Sequence, residues 1–144
     1  MDIYKVIIIT FIITAIYDVI LREISLRELF PSIKFIDSLK PYYESQTLLT
    51  VALVAGFVGA VTQIPIILTS KSICADFNIL IFMSITFIIS ALAGFIMKWS
   101  KLFPCLDNTY YKSLGWKHAM ITDGVSGLIV NMTLLAITGF VPIY

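Results

Sequence analysis

The chain has 144 residues, 59% hydrophobic and 13% charged, with mean hydropathy +0.97. A soluble domain is about 45–50% apolar and about 25% charged, and a chain this small has too much surface to hide such an excess in a core. A soluble globule and a disordered chain are both excluded, and a net charge of +1 gives no basic footprint for nucleic acid.

What remains is an integral membrane protein with the bilayer as its first partner. A hydrocarbon core of about 30 Å calls for about 20 apolar residues per helix. Four segments qualify: Ile3–Leu21, Leu48–Thr69, Ile79–Met97 and Ala119–Val141. They are apolar on all sides, unlike the single stripe of a soluble helix, and unbroken, unlike barrel strands. The expected fold is all-α, a single membrane domain over residues 1–144 with four transmembrane helices.

The first span has no basic leader and no small-residue cleavage site, so it reads as a retained helix and not a signal peptide. Thr10, Thr14 and Asp18 fall on one face. Asp18 precedes Arg22 by four residues, which predicts either an ion pair or a functional intramembrane acid.

The first connection, Arg22–Gln46, is too long for a turn. Leu26, Leu29, Phe30, Ile33, Ile36 and Leu39 recur at near-helical spacing among charges. This predicts an amphipathic segment in the interface, broken or restarted at Pro31. Arg22, Lys40 and Tyr42 are expected to face the interface or a partner.

In the second span Ala52, Gly56 and Ala60 share a face, with Gly59 beside it. Small residues at this spacing let helices approach closely in lipid. Gln63 lies just before Pro65 and is expected to satisfy the carbonyl that the proline leaves open. In the third span Thr86, Ser90 and Gly94 form a matching small-residue face. These faces are assigned to contacts within the bundle, and a homo-oligomer built on one of them is an open alternative.

The second connection, Lys98–His118, holds Trp99, Phe103, Tyr110, Tyr111 and Trp116 among four lysines. Aromatic residues at a membrane boundary are anchors; the alternative for Trp99, Trp116 and Lys117 is a docking surface. The fourth span opens with Asp123-Gly124, a helix-cap pattern, carries Gly124 and Gly127, and places Asn131 near mid-membrane, where a bond to a neighbouring helix is expected. Asn131-Met132-Thr133 fits a glycosylation pattern but lies inside the span, so it is discounted.

Lys5 and Lys71 are the only basic residues on the side of the termini; the other eight of ten lie on the side of the long connections. The positive-inside rule then puts those connections in the cytosol and both termini outside or in a lumen. Cys74 and Cys105 fall on opposite sides and are not expected to pair with each other.

The first and third spans align without a gap. Ile9–Arg22 lies over Ile85–Lys98 with seven of fourteen positions identical. Both long connections contain Leu-Phe-Pro and Ser-Leu, and Ala60–Ile66 resembles Ala136–Ile143. A tandem duplication of a two-helix hairpin is expected, with units 1–70 and 71–144 and parallel repeats about an axis along the membrane normal. In that alignment Asp18 lies over Gly94 and Asp123 over Thr47, so no symmetric carboxylate pair is expected.

No catalytic triad, phosphate-cradling loop or metal cluster is present in the sequence. The expectation is no enzyme, no cofactor and no metal.

Tyr17–Arg22, Lys40–Tyr43, Ala55–Gln63 and Thr122–Asn131 resemble a family of small multi-span membrane proteins of large nucleocytoplasmic DNA viruses. The resemblance implies a structural protein of an internal virion membrane, with its long connections facing capsid or other virion proteins, or a protein held in the host endoplasmic reticulum. The residues themselves keep a second reading open: a small transporter or channel with Asp18, Gln63, Asp123 and Asn131 along a polar path.

Overall fold

The computed structural model describes residues 2–30, 33–73, 76–102, 112 and 115–139. Pro31, Cys74, Phe103, Pro104, Cys105, Tyr110, Tyr111 and Ser113-Leu114 lie outside the described residues, as do the last residues of the expected fourth span. Among the described residues five helices are seen: α1 (Ile3–Leu26), α2 (Lys34–Ser45), α3 (Leu48–Ile73), α4 (Ile79–Ser100) and α5 (Trp116–Thr138). All but α2 are long and apolar enough to cross a membrane. Runs rich in Ile and Val are mediocre helix formers in water. In lipid no water is available to the backbone, and the helix is the way for one segment to satisfy its own N–H and C=O groups.

The ends are set by local chemistry. Asp2 Oδ1 accepts from the Tyr4 N–H at 3.3 Å. Asn78 Oδ1 accepts from the Leu80 N–H at 2.9 Å, which starts α4. Gly139 adopts φ +63° and its N–H bonds the Leu135 carbonyl. This left-handed cap stops α5 at Thr138, short of the expected Val141. The other spans run beyond their expected ends by about a turn, because polar residues such as Arg22 and Lys71 still support helix once the chain reaches the interface.

The molecule is apolar outside and partly polar inside. Ile8, Ile12, Ile16 and Ile20 form an exposed stripe along α1, and Leu49, Leu53, Phe57 and Val61 do so along α3. Thr10, Ser25, Gln63, Ser70, Thr86, Ser90, Thr122 and Asn131 are buried. A soluble protein has the reverse arrangement. Outward-facing apolar stripes and inward-facing polar groups are what a bilayer selects, since an exposed polar group there has no partner.

Helix pairing follows small residues. α1 packs most extensively on α3, and α4 on α5, with lighter contacts between α3 and α4 and between α1 and α5. A Cβ added at Gly56 would lie 2.8 Å from the Phe11 ring, and one at Gly124 would lie 2.6 Å from the Phe87 ring. Gly59 is pressed in the same way against Thr14, and Gly127 against Ser90. Thus each hairpin uses a Gly-x-x-Gly pair against an aromatic residue and a hydroxyl residue three positions later.

The first connection turns its aromatic pair, Tyr42 and Tyr43, inward. After α1 the chain turns at Glu28, a non-glycine residue at φ +53°, and α2 folds back on the bundle. Ile36, Leu39, Tyr42 and Tyr43 are buried on its inner face. The Ser25 hydroxyl donates to the Ile36 carbonyl at 3.0 Å, and Lys40 pairs with Glu28 across the turn. That partner holds the Glu28 carboxyl below its ordinary value of 4.5 and lifts Lys40 above its own. The Glu28 contribution is therefore present above the ordinary value and lost as pH falls through the lowered one. The Lys40 contribution is lost as pH rises through its raised value.

The close approaches are directly testable. Gly59→Ala and Gly127→Ala should each cost about 1–3 kcal/mol by overpacking. Gly115→Ala, where an added Cβ meets only His118 at 3.8 Å, should lose only the N-cap preference of glycine over alanine, within about 1 kcal/mol. Thermal or SDS-induced unfolding in detergent reads the difference; equal effects at all three sites would refute the packing account.

Candidate functional site

Between the four long helices lies a cavity of about 120 Å³, room for about four waters at ~30 Å³ each. Asp18 on α1, Gln63 on α3, and Asp123 and Asn131 on α5 all line it. The structure therefore brings together the four intramembrane polar residues picked out in the sequence. Asp123 and Asn131 are eight residues apart on one helix, about 12 Å along the axis, so the cavity has an acid end and an amide end.

The cavity is bounded by apolar packing on both sides. At the acid end Leu39, Tyr42 and Tyr43 of α2 pack with Val51 and Ala119. At the far end Val6, Ile67 and Leu134 form a second cluster drawn from α1, α3 and α5. Polar groups held between two apolar layers are removed from bulk water, and their hydrogen bonding must be met locally.

At the acid end the Tyr43 hydroxyl donates to Asp18 Oδ1 at 3.0 Å. Burial and the Asp18 carboxylate push the Tyr43 hydroxyl far above the usual tyrosine value, so it remains a protonated donor at any physiological pH. Arg22 is not the partner expected for Asp18; its Nη1 bonds Glu23 Oε1 at 2.9 Å. Geometry explains this, because α2 delivers a hydroxyl to Asp18 from within the bundle while the Arg22 guanidinium is taken by Glu23 beside it in the chain. Tyr17 lies in electrostatic range of both Asp18 and Asp123, and its oxygen accepts from Ser126 Oγ at 3.3 Å. Asp123 is in the third turn of α5 and is not a cap; the N-cap is Gly115. Its side chain packs where Gly94 leaves room on α4.

At the amide end the expected structural roles also fail. Gln63 is 1% exposed and its Nε2 has no hydrogen-bond partner among the described residues. It does not close the gap left by Pro65, which stays inside α3. Asn131 Nδ2 donates to the Gly127 carbonyl of its own helix at 3.0 Å and not to a neighbouring helix. Its Oδ1 has no partner among the described residues, and the same holds for Ser90 Oγ.

The remaining residues singled out in the sequence are placed as follows. Gly56, Ser90 and Gly94 are buried, and Ala52, Gly59 and Ala60 are half-buried. Gly56, Gly59, Ser90 and Gly94 meet a neighbouring helix closely, and Gly59, Ser90 and Gly94 also border the cavity. Trp99, Trp116 and Lys117 are exposed at the α2 end of the bundle, with Lys98 Nζ 5.3 Å from the Trp116 ring. Lys40 is partly exposed, but Tyr42 is 1% exposed. The expected outward role of Tyr42 is thus corrected: α2 turns its aromatic pair inward. Tyr17, Tyr43, Thr14, Thr122 and Ser126 were missed as cavity residues. Thr14 shares the face of Asp18, so helical spacing alone was a usable signal for it; Tyr43 reaches the site only through the fold-back of α2.

No family model, curated protein or solved structure matches this chain. The site stands on its own geometry.

Two substitutions separate structural from functional polar groups. Tyr43→Phe removes a bond to a carboxylate and should cost about 1.5–3 kcal/mol. Gln63→Leu removes a buried amide donor that has no partner, so it should be neutral or stabilising. Unfolding midpoints in detergent check both; a large loss for Gln63→Leu would mean that its side chain supports the fold.

Proposed function

We propose that this integral membrane protein passes a small polar solute or ion through the cavity between its helices. The observation that carries the reading is a cavity between the helices whose amide and hydroxyl groups include several without partners among the described residues. Side chains kept only for packing would be expected to satisfy one another, because an unpaired polar group in a bilayer is costly. Gln63, Ser90 and Asn131 retain that cost, which a passing ligand and its water would offset.

The duplicated hairpin belongs to the same proposal. Its support is the repeated contact of Phe11 and Thr14 with Gly56 and Gly59, matched by Phe87 and Ser90 with Gly124 and Gly127. This contact register sets Gln63 over Asn131 and Asp123 over Ala55, and it differs from the end-matching of Ala60–Ile66 with Ala136–Ile143. Parallel repeats put corresponding side chains at one depth, and Gln63 and Asn131 then face the same level of the cavity. In this reading the basic α2 end is cytosolic. The virion-connector role needs outward-facing connections, whereas the aromatic pair of the first connection is buried; this favours passage over docking.

Reconstituted liposomes provide the test. Ions or small polar solutes should equilibrate faster than in protein-free vesicles, and Gln63→Leu with Asn131→Leu should slow this at least tenfold while the fold persists. Rates equal to those of empty vesicles would sink the proposal.

A further inference from the structure

The chemistry of the cavity wall says more than that it is polar. Four of its threonines, Thr10, Thr14, Thr62 and Thr122, donate their hydroxyl hydrogens to the carbonyl four residues back on their own helices, at 2.6–2.8 Å. Their oxygens can then only accept from the cavity. Asn131 adds a further acceptor: one Nδ2 hydrogen goes to the Gly127 carbonyl, and its Oδ1 has no partner among the described residues. Asp18 and Asp123 are acceptors when ionised. No Lys, Arg or His is among the described residues lining the chamber. The wall offers many oxygen acceptors and, among the described residues, no positive charge; Gln63 Nε2 and the Ser90 hydroxyl are its unpartnered donors.

We infer that the cavity is a binding site for a small monovalent cation, held at the acid end by Asp18 and Asp123. Acceptor oxygens and two carboxyl groups, with no positive side chain among the described lining residues, suit a positive ligand better than an anion. The same chemistry serves a partly hydrated alkali ion or a small primary ammonium. Neither thiol nor imidazole lines the site among the described residues, which disfavours soft transition metals. A divalent ion dehydrates at greater cost and relies on more anionic oxygens in one shell. Here Asp18 is already engaged by the neutral Tyr43 hydroxyl, and Val54, Ala55, Val58 and Gly59 provide apolar or small wall between the two ends. Room for about four waters lets a monovalent ion keep part of its hydration shell. The Asn131 Oδ1, about 12 Å deeper, would receive it next.

The inference rests on the cavity's being a ligand chamber but does not require passage across the membrane, so it is tested without one. The full chain in detergent is titrated with sodium, potassium or methylammonium chloride, with N-methylglucamine chloride keeping ionic strength constant. At about a hundredfold excess over the dissociation constant, the melting temperature should rise saturably by about 5 °C or more for at least one of the three. Saturation by sodium or potassium identifies an alkali ion; saturation by methylammonium identifies an ammonium. Asp18→Asn and Asp123→Asn singly should each weaken the apparent affinity at least tenfold, and either variant suffices if the double variant fails to fold. The inference is overturned if none of the three salts gives a saturable shift. It is equally overturned if the shift is unchanged in both single variants, follows the anion when chloride is replaced by gluconate, or appears only with calcium or magnesium. Binding in detergent with no flux in liposomes would defeat passage and leave the cation site standing; flux without binding would do the opposite.

Discussion

The structure depends on one constraint: inside a bilayer, each polar group must find its partner within the protein. The backbone meets this by forming four long helices. Several threonine hydroxyls meet it by bonding back to their own helices, as Thr10 does to the Val6 carbonyl. Asp18 meets it through Tyr43. Against this background a few groups have no partner among the described residues: Gln63 Nε2, Ser90 Oγ and Asn131 Oδ1 at the cavity, and Arg22 Nε, Ser70 Oγ and Thr86 Oγ1 outside its lining.

Close packing makes the chamber. Lipid tails give helices little hydrophobic reason to associate, so contact area and small residues decide the pairing. Gly56 and Gly59 draw α1 onto α3, and Gly124 and Gly127 draw α4 onto α5. The two tight hairpins touch each other more lightly. The cavity lies between the hairpins, where there are fewer Gly-mediated contacts. Helix α2 then closes the acid end. Its inner face buries Leu39, Tyr42 and Tyr43, a hydrophobic gain of about 1.5–3 kcal/mol for a side chain of leucine size taken out of water. That gain also positions the donor for Asp18, which links the stability of the connection to the state of the acid.

How far the site was legible depended on the residue. Asp18, Gln63, Asp123 and Asn131 could be found because polar side chains in apolar runs are rare and costly. Their partners could not, because the obvious local ones were the wrong ones. Arg22 is one helical turn from Asp18 yet pairs with Glu23; Gln63 is two residues from Pro65 yet faces the cavity. Local spacing describes which groups can meet, while burial and competition decide which do. Tyr42 was misplaced for a related reason: an aromatic residue at a membrane boundary usually anchors in the interface, but a fold-back of the connection offers it the end of the bundle.

The sequence by itself determined that the chain enters a membrane, that it crosses as helices, and which faces carry small and polar residues, because hydropathy and helical period are local properties. It also displayed the Gly-x-x-Gly pairs that make close packing possible. Only the tertiary structure decided that the four polar residues share one cavity, that α2 turns inward to cover it, and that Tyr43 and not Arg22 serves Asp18. Those outcomes depend on which helices are neighbours and on how a connection folds back over them. That is a contest among distant contacts which no single stretch of sequence records.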